Sequence, residues 1–266
     1  GFFYFFICTV LWASSFVYAI KIRDKNAGET RRNSALNYAM KRFSANSLAT
    51  MSAYLIILLF IIAFLAPILA PYDPNQIKDV VINRYQAPSL THLFGTDSLG
   101  RDLFSRALYG GRISLSIGVL SVLISMSLGT VYGSVSGYFG GLLDNVLMRI
   151  VDVIMAFPIF FLMLLLVGVF EASILVLILI LGFTSWAGTA RYIRGEILSL
   201  REREFIESSR AIGLPAYLII WRHLIPNALS PVLVSATLMV GGMIMAEAGL
   251  SFLGIGIRPP TPSWGN

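Results

Sequence analysis

Few residues in this chain have the types and spacing that chemistry needs, and those few point away from catalysis. Asp97 and Asp102 are close enough in sequence for an acid/base pair or a shared cation, and Arg101, Arg106 and Arg112 stand beside them. A metal site would require His or Cys company or a richer carboxylate set. Acid/base work would require environments that drive the two pKa values apart. Each Asp instead has an Arg nearby, so the stretch is expected to be an amphipathic piece lying on the outer membrane surface, with Gly95 and Gly100 breaking it and Asp97 or Ser98 capping a short helix. Cys8, His92 and His223 are too scattered for a disulfide framework or a zinc site. No G-x-x-x-x-G-K-[ST], H-E-x-x-H or G-x-S-x-G run occurs, so the chain lacks a phosphate cradle and the common hydrolase signatures. No catalytic residue, metal ligand or chain-bound cofactor is expected, and any energy must come from another chain.

The elements that must position these residues are membrane spans. Of 266 residues 56% are hydrophobic and only 13% charged, with a mean hydropathy of +0.77, whereas soluble domains carry about 25% charged residues. A crossing helix needs about 20 mostly apolar residues. Segments 2–20, 48–70, 113–137 and 229–250 qualify, and 153–186 is long enough for two crossings with a turn near 168–173, Glu171 lying in that turn. Six candidates result. Segment 2–20 lacks the basic start and small-residue cleavage site of a signal peptide. It reads as an extra crossing, an interfacial segment or a piece foreign to the native protein. Ser116, Ser121, Ser125, Ser127, Gly129, Gly133 and Ser136 bring small surfaces to one span, which favours close helix packing.

Charge then orients the spans. If alternate loops share a side, 21–47, 138–152 and 191–226 together carry fourteen Lys and Arg against six in 72–112 and the tail 251–266. The positive-inside rule puts the first set in the cytoplasm. The formal charge of +6 is therefore a topology signal and not a nucleic-acid footprint. Charges at membrane depth are costly and often functional. Arg149 and Asp152, three apart, can pair on one helix face. Glu247, beside Met243, Ala246 and Gly249 late in a helix, reads as facing a central cavity or a partner subunit, or as a residue at the membrane interface.

The stretch 191–227 is too polar to cross and too long for a turn. Phe205, Ile206, Ser209 and Ile212 recur near helical spacing, with Glu202, Arg203, Glu207 and Arg210 towards the other side. Gly213 suits the residue after a helix end, Pro215 the first turn of a second helix, and Pro226 the close of that helix. The pattern predicts a helix–turn–helix on the cytoplasmic face, a docking element or an amphipathic hairpin on lipid headgroups.

Two runs and a tail resemble one family. Glu207-Ser208-Ser209, Gly213 and His223-Leu224-Ile225-Pro226 resemble the EAA loop, E-A-A-x3-G-x9-I-x-L-P, of ABC importer permeases, with Ser for both alanines, His223 for Ile and Ile225 for Leu. The run from Phe94-Gly95-Thr96-Asp97 through Gly100-Arg101-Asp102 and Ser105-Arg106 to Tyr109-Gly110-Gly111-Arg112-Ile113-Ser114-Leu115 resembles dipeptide, oligopeptide and nickel importer permeases. So does the tail, Leu250-Ser251-Phe252-Leu253-Gly254 with Pro262-Ser263-Trp264-Gly265-Asn266.

The resemblance covers roughly 37–266 and implies an all-α integral membrane protein, a type I ABC importer bundle. It would comprise an extra apolar segment 1–20, a basic cytoplasmic segment 21–47, a first family helix at 48–71, an extracytoplasmic loop 72–112 and a permease domain 113–266 with its coupling loop at 191–227. Five family-type spans match, and the family's last helix is expected beyond Asn266. The implied function is ATP-driven import of peptides or nickel by alternating access. A second permease, two cytoplasmic ATPase subunits that use ATP and Mg, an extracytoplasmic substrate-binding protein and membrane lipid are the implied partners. Glu207, Ser208, Ser209, Ala211, Gly213, Ile225 and Pro226 would form the ATPase-coupling loop, and Asp97, Arg101, Asp102 and Arg106 would face the binding protein. A secondary transporter run on an ion gradient is the alternative, though no internal repeat supports it. A membrane-embedded enzyme would need a polar cluster at one depth, which the few intramembrane charges do not supply.

Overall fold

The computed structural model describes residues 43–77, 80–170 and 173–266. Segment 1–20, most of the basic segment 21–47 and Glu171 lie outside the described residues. Among the described residues the regular secondary structure is helical, apart from one isolated antiparallel bridge between Thr96 and Asp102. The chain divides into two compact units, with the division between Arg112 and Ile113.

In the first unit α1 (Ser47–Phe64) begins where the Asn46 side chain accepts the N–H groups of Leu48 and Ala49. Its apolar side chains, Leu55 to Leu59 among them, are exposed along most of its length, a surface that suits lipid. Two short helices follow, α2 (Ala66–Leu69) and α3 (Val80–Asn83), and then an ordered loop.

The second unit's packing is set by small residues. Helix α4 (Leu103–Phe139), which contains the unit division, lies against α7 (Ile174–Arg201). A methyl group at Gly129 would strike Thr189, one at Gly133 the Ala190 carbonyl, and one at Gly137 the Ile197 side chain. Ser121 donates to the Ile178 carbonyl at 3.2 Å, and Ser125 shares a hydrogen bond with Thr189 at 3.2 Å. The Ser/Gly stripe thus packs helix on helix, as its spacing predicts. Ile117, Leu177, Leu181, Ile193, Ile197 and Val232 fill the core between these helices and α10 (Ile225–Phe252).

The middle of the chain differs from expectation. The turn expected over 138–152 is confined to Gly140, at φ +66°, and helix α5 (Gly141–Ala156) starts at once. The span expected from residue 153 is the second limb of a bent pair, α5 and α6 (Ile159–Val169), at 79°. Pro158 is the cause: it has no N–H to continue α5, and it forces Phe157 into an extended conformation with ψ of 133°. Among the described residues four helices are long and apolar enough to cross, or five if the bent pair is one span.

Candidate functional site

The hairpin forms where the chain leaves the bundle. Helix α8 (Glu204–Ala211) starts two residues after α7 ends, with Glu204 and Glu207 in its first turn and Arg210 in its last, matching the helix dipole. It ends as Gly213 adopts φ +82°; the Gly213 N–H donates to the Arg210 carbonyl and the Leu214 N–H to the Ser209 carbonyl. This pair of bonds satisfies carbonyls that a helix end leaves open. Pro215 flanks a single turn, α9 (Ala216–Leu218), followed by a π-helical turn, Ile219–Leu224.

Pro226 does not close the second helix. It sits in the first turn of α10, so the hairpin's return limb runs unbroken from Ala216 to Phe252. The wide π turn accommodates it, because the Ile225 N–H reaches five residues back to the Ile220 carbonyl and leaves room for the proline ring.

Glu207, Ser208, Ala211 and Gly213 are exposed on the hairpin, whereas Ile225 is buried and Pro226 half-buried at its root. The expected apolar face is split: Ile206 and Ser209 are buried, Phe205 and Ile212 exposed. Eight residues make barely two turns, and Ile212 leaves the helix as its C-cap. The tip consequently presents Ile212, 80% exposed, with Tyr217 and Trp221 above 60%. Ser208 and Ser209 donate to the carbonyls of Glu204 and Phe205 at 2.8 and 2.7 Å. With both hydroxyls folded onto their own helix, α8 keeps a small-residue surface like that of an Ala-Ala pair.

Arginines brace the end of α4 beside this hairpin. Arg194 makes a two-pronged contact with Asp144 at 2.6 Å for each prong, and Ser136 donates to the same carboxylate. Arg201 Nη1 donates to the carbonyls of Gly137 and Tyr138 at 3.4 and 3.3 Å. The Arg210 guanidinium lies over the Tyr138 ring, 5.0 Å from its centre. Sequence reasoning missed this cluster because it took Asp144 for a loop residue. The i, i+8 relation of Ser136 and Asp144 across Gly140 leaves no periodic signal. Asp152 pairs with Arg191 at 2.6 Å; the expected partner Arg149 is exposed, because the α5–α7 contact brings Arg191 closer.

In the loop 72–112 the four charged residues turn inward. Arg101, Asp102 and Arg106 are buried. Asp97 is ringed by donors: the N–H groups of Leu99 and Arg101 at 2.8 and 2.9 Å and Arg101 Nε at 2.7 Å, with Arg106 at 3.9 Å. Burial works to raise its carboxyl, and those backbone and guanidinium bonds outweigh it and hold it below the usual carboxylate range. Asp97 therefore closes a turn, and Asp102 is the residue that caps α4, accepting Ser105 N–H and Oγ at 2.8 and 2.7 Å. Asp102 also takes His92 Nδ1 at 2.9 Å, a His neighbour that ten residues of separation concealed. Leu90, Leu93, Phe94 and Leu99 are large apolar side chains exposed on this loop, beside exposed polar groups such as Arg84, Ser89 and Ser98.

Glu247 lies late in α10. It is fully buried inside the chain, with its two oxygens accepting Ser114 Oγ at 2.9 Å and Ser251 Oγ at 2.8 Å. Those serines in turn accept the N–H groups of Trp264 and Ile257 at 3.1 and 3.0 Å, which fastens the tail to α4 and α10.

Comparison with known proteins decides what this architecture is. Residues 129–266 match the family described as binding-protein-dependent transport system inner membrane component, and residues 34–88 match the N-terminal TM domain of oligopeptide transport permease C. This chain belongs to the binding-protein-dependent permeases of the peptide ABC importer family. It is 43% identical over 231 residues to the oligopeptide transport system permease protein OppC of Haemophilus influenzae, covering 85% of this chain and 73% of that one. To the dipeptide transport system permease protein DppC of Bacillus subtilis it is 37% identical over 246 residues, covering 91% and 76%. To the glutathione transport system permease protein GsiD of Escherichia coli it is 42% identical over 225 residues, covering 85% and 74%. The permease is thus a multi-pass inner-membrane subunit of a bacterial ABC transporter and carries no enzymatic activity of its own.

Proposed function

We propose that this permease forms half of a translocation pathway for small peptides and couples it to ATP hydrolysis on partner subunits through the 204–226 hairpin. The substrates named for its relatives, dipeptides, oligopeptides and glutathione, favour peptides over nickel. The observation that carries the coupling reading is the hairpin tip: a turn fixed by Gly213 and holding Ile212, Tyr217 and Trp221 outward. Large apolar side chains on a rigid turn suit a groove on another protein better than water.

In this mechanism two cytoplasmic ATPases close on ATP and Mg and draw the hairpins of this chain and a second permease together. The bundle tips from inward-facing to outward-facing, and a substrate-binding protein delivers peptide from outside. The apolar rim Leu90, Leu93, Phe94 and Leu99 supplies its contact surface, while Asp97, Arg101, Asp102 and Arg106 hold that rim in shape. Each ligand's affinity must then depend on the state of the other. The test is an Ile212→Cys variant in the assembled transporter. Efficient cross-linking to a cysteine in the ATPase groove is expected, and reaction with lipid-soluble probes alone would leave the hairpin a membrane-surface element.

A further inference from the structure

The chain joins the hairpin covalently to α7 and α10, but α4 and the bent α5–α6 pair have no such link to it. If hairpin motion is to tip the whole bundle, something must carry force to the corner at Gly140 where α4 turns into α5. Three arginines gather there, and they differ in kind. Arg194 and Arg201 belong to α7; the first is fixed by a carboxylate and the second by main-chain carbonyls. Arg210 comes from the coupling helix itself and rests on the Tyr138 ring at 5.0 Å. Tyr138 is half-buried in the last turn of α4, packed against the core two residues before Gly140. A ring face attracts a cation with little demand on angle. Such a contact keeps hold while α8 slides or tilts, as a bidentate carboxylate pair would not.

We infer that Arg210 and Tyr138 form the joint through which the coupling hairpin moves the α4–α5 corner. They are positioning residues that touch neither ATP nor peptide. The inference rests on the coupling reading above.

The experiment measures peptide transported per ATP hydrolysed in the complete transporter, reconstituted with its binding protein. Tyr138→Leu and Arg210→Gln should each lower that ratio by about fivefold, the low end of the usual coupling range. The double variant should be no worse than either single one, since both break one contact. Tyr138→Phe, which keeps the ring face, should stay within about twofold of the native ratio. Arg210 is exposed, so Arg210→Gln retains a folded complex even where Tyr138→Leu does not. An unchanged ratio in Arg210→Gln, additive losses in the double variant, or a loss in Tyr138→Phe equal to that in Tyr138→Leu would each overturn the joint. The Ile212→Cys cross-link separates the two ideas. If it forms while the ratio is unchanged, only the joint fails; if it does not form, the coupling reading fails first.

Discussion

Gly213 has open space where a side chain would stand, and yet its backbone lies at φ +82°. Substitution there is opposed by conformation and not by crowding, at about 1–2 kcal/mol for an L-residue. Gly213→Glu should therefore leave the subunit assembled while transport collapses, and Gly213→Asn, which tolerates this region better, should retain part of it. Normal transport by Gly213→Glu in the full complex would dissociate the turn from coupling. Asp97 makes a pH prediction. A carboxyl held low in the folded state stabilises it above the unfolded value of about 3.9, and that contribution is lost as pH falls through the lower, folded value. Loop protection from proteolysis in the complex should hold at pH 5 and fall only in stronger acid. In Asp97→Asn it should already be weakened at pH 7.

The helices owe their arrangement to breakers and small residues. Gly133 sits where any side chain meets the Ala190 carbonyl on α7, so Gly133→Leu should lower the melting temperature in detergent by forcing α4 and α7 apart, at about 1–3 kcal/mol. An unaltered melting temperature would mean the helices are not so close. The spans at 48–70, 113–137 and 229–250, the Ser/Gly packing stripe and the Gly213 helix end were all legible in the sequence, because each rests on local composition or on one residue's conformational freedom. Pro226 was misread because a proline marks a boundary without saying on which side the helix lies, and a π turn can carry a chain past it. The bend at Pro158 was hidden in an apolar run whose hydropathy is blind to hydrogen bonding. Arg194 and Arg191 reach Asp144 and Asp152 from another helix, His92 reaches Asp102 across a loop and Ser114 reaches Glu247 from another helix, so no spacing rule finds those contacts, although Ser105 and Ser251 lie at i+3 and i+4.

At the scale of the molecule, orientation follows from the basic residues. With Cys8→Ser as background, a cysteine at Ser98 should react with an impermeant thiol reagent from outside, and one at Ser208 only after the membrane is opened. The opposite pattern would invert the positive-inside assignment. Every described span exposes apolar surface, α1 above all, and helices in lipid pair by shape and hydrogen bonds instead of a hydrophobic drive. Such surfaces suit lipid and partner subunits. The central claim, a permease whose work is done by ATP on other chains, is tested most directly by peptide uptake into liposomes. The full-length permease reconstituted with its partner permease, both ATPases and binding protein should take up peptide only with ATP and Mg present, and by itself should neither hydrolyse ATP nor transport. Uptake by the permease alone on a proton or sodium gradient would contradict the account and make it a secondary transporter.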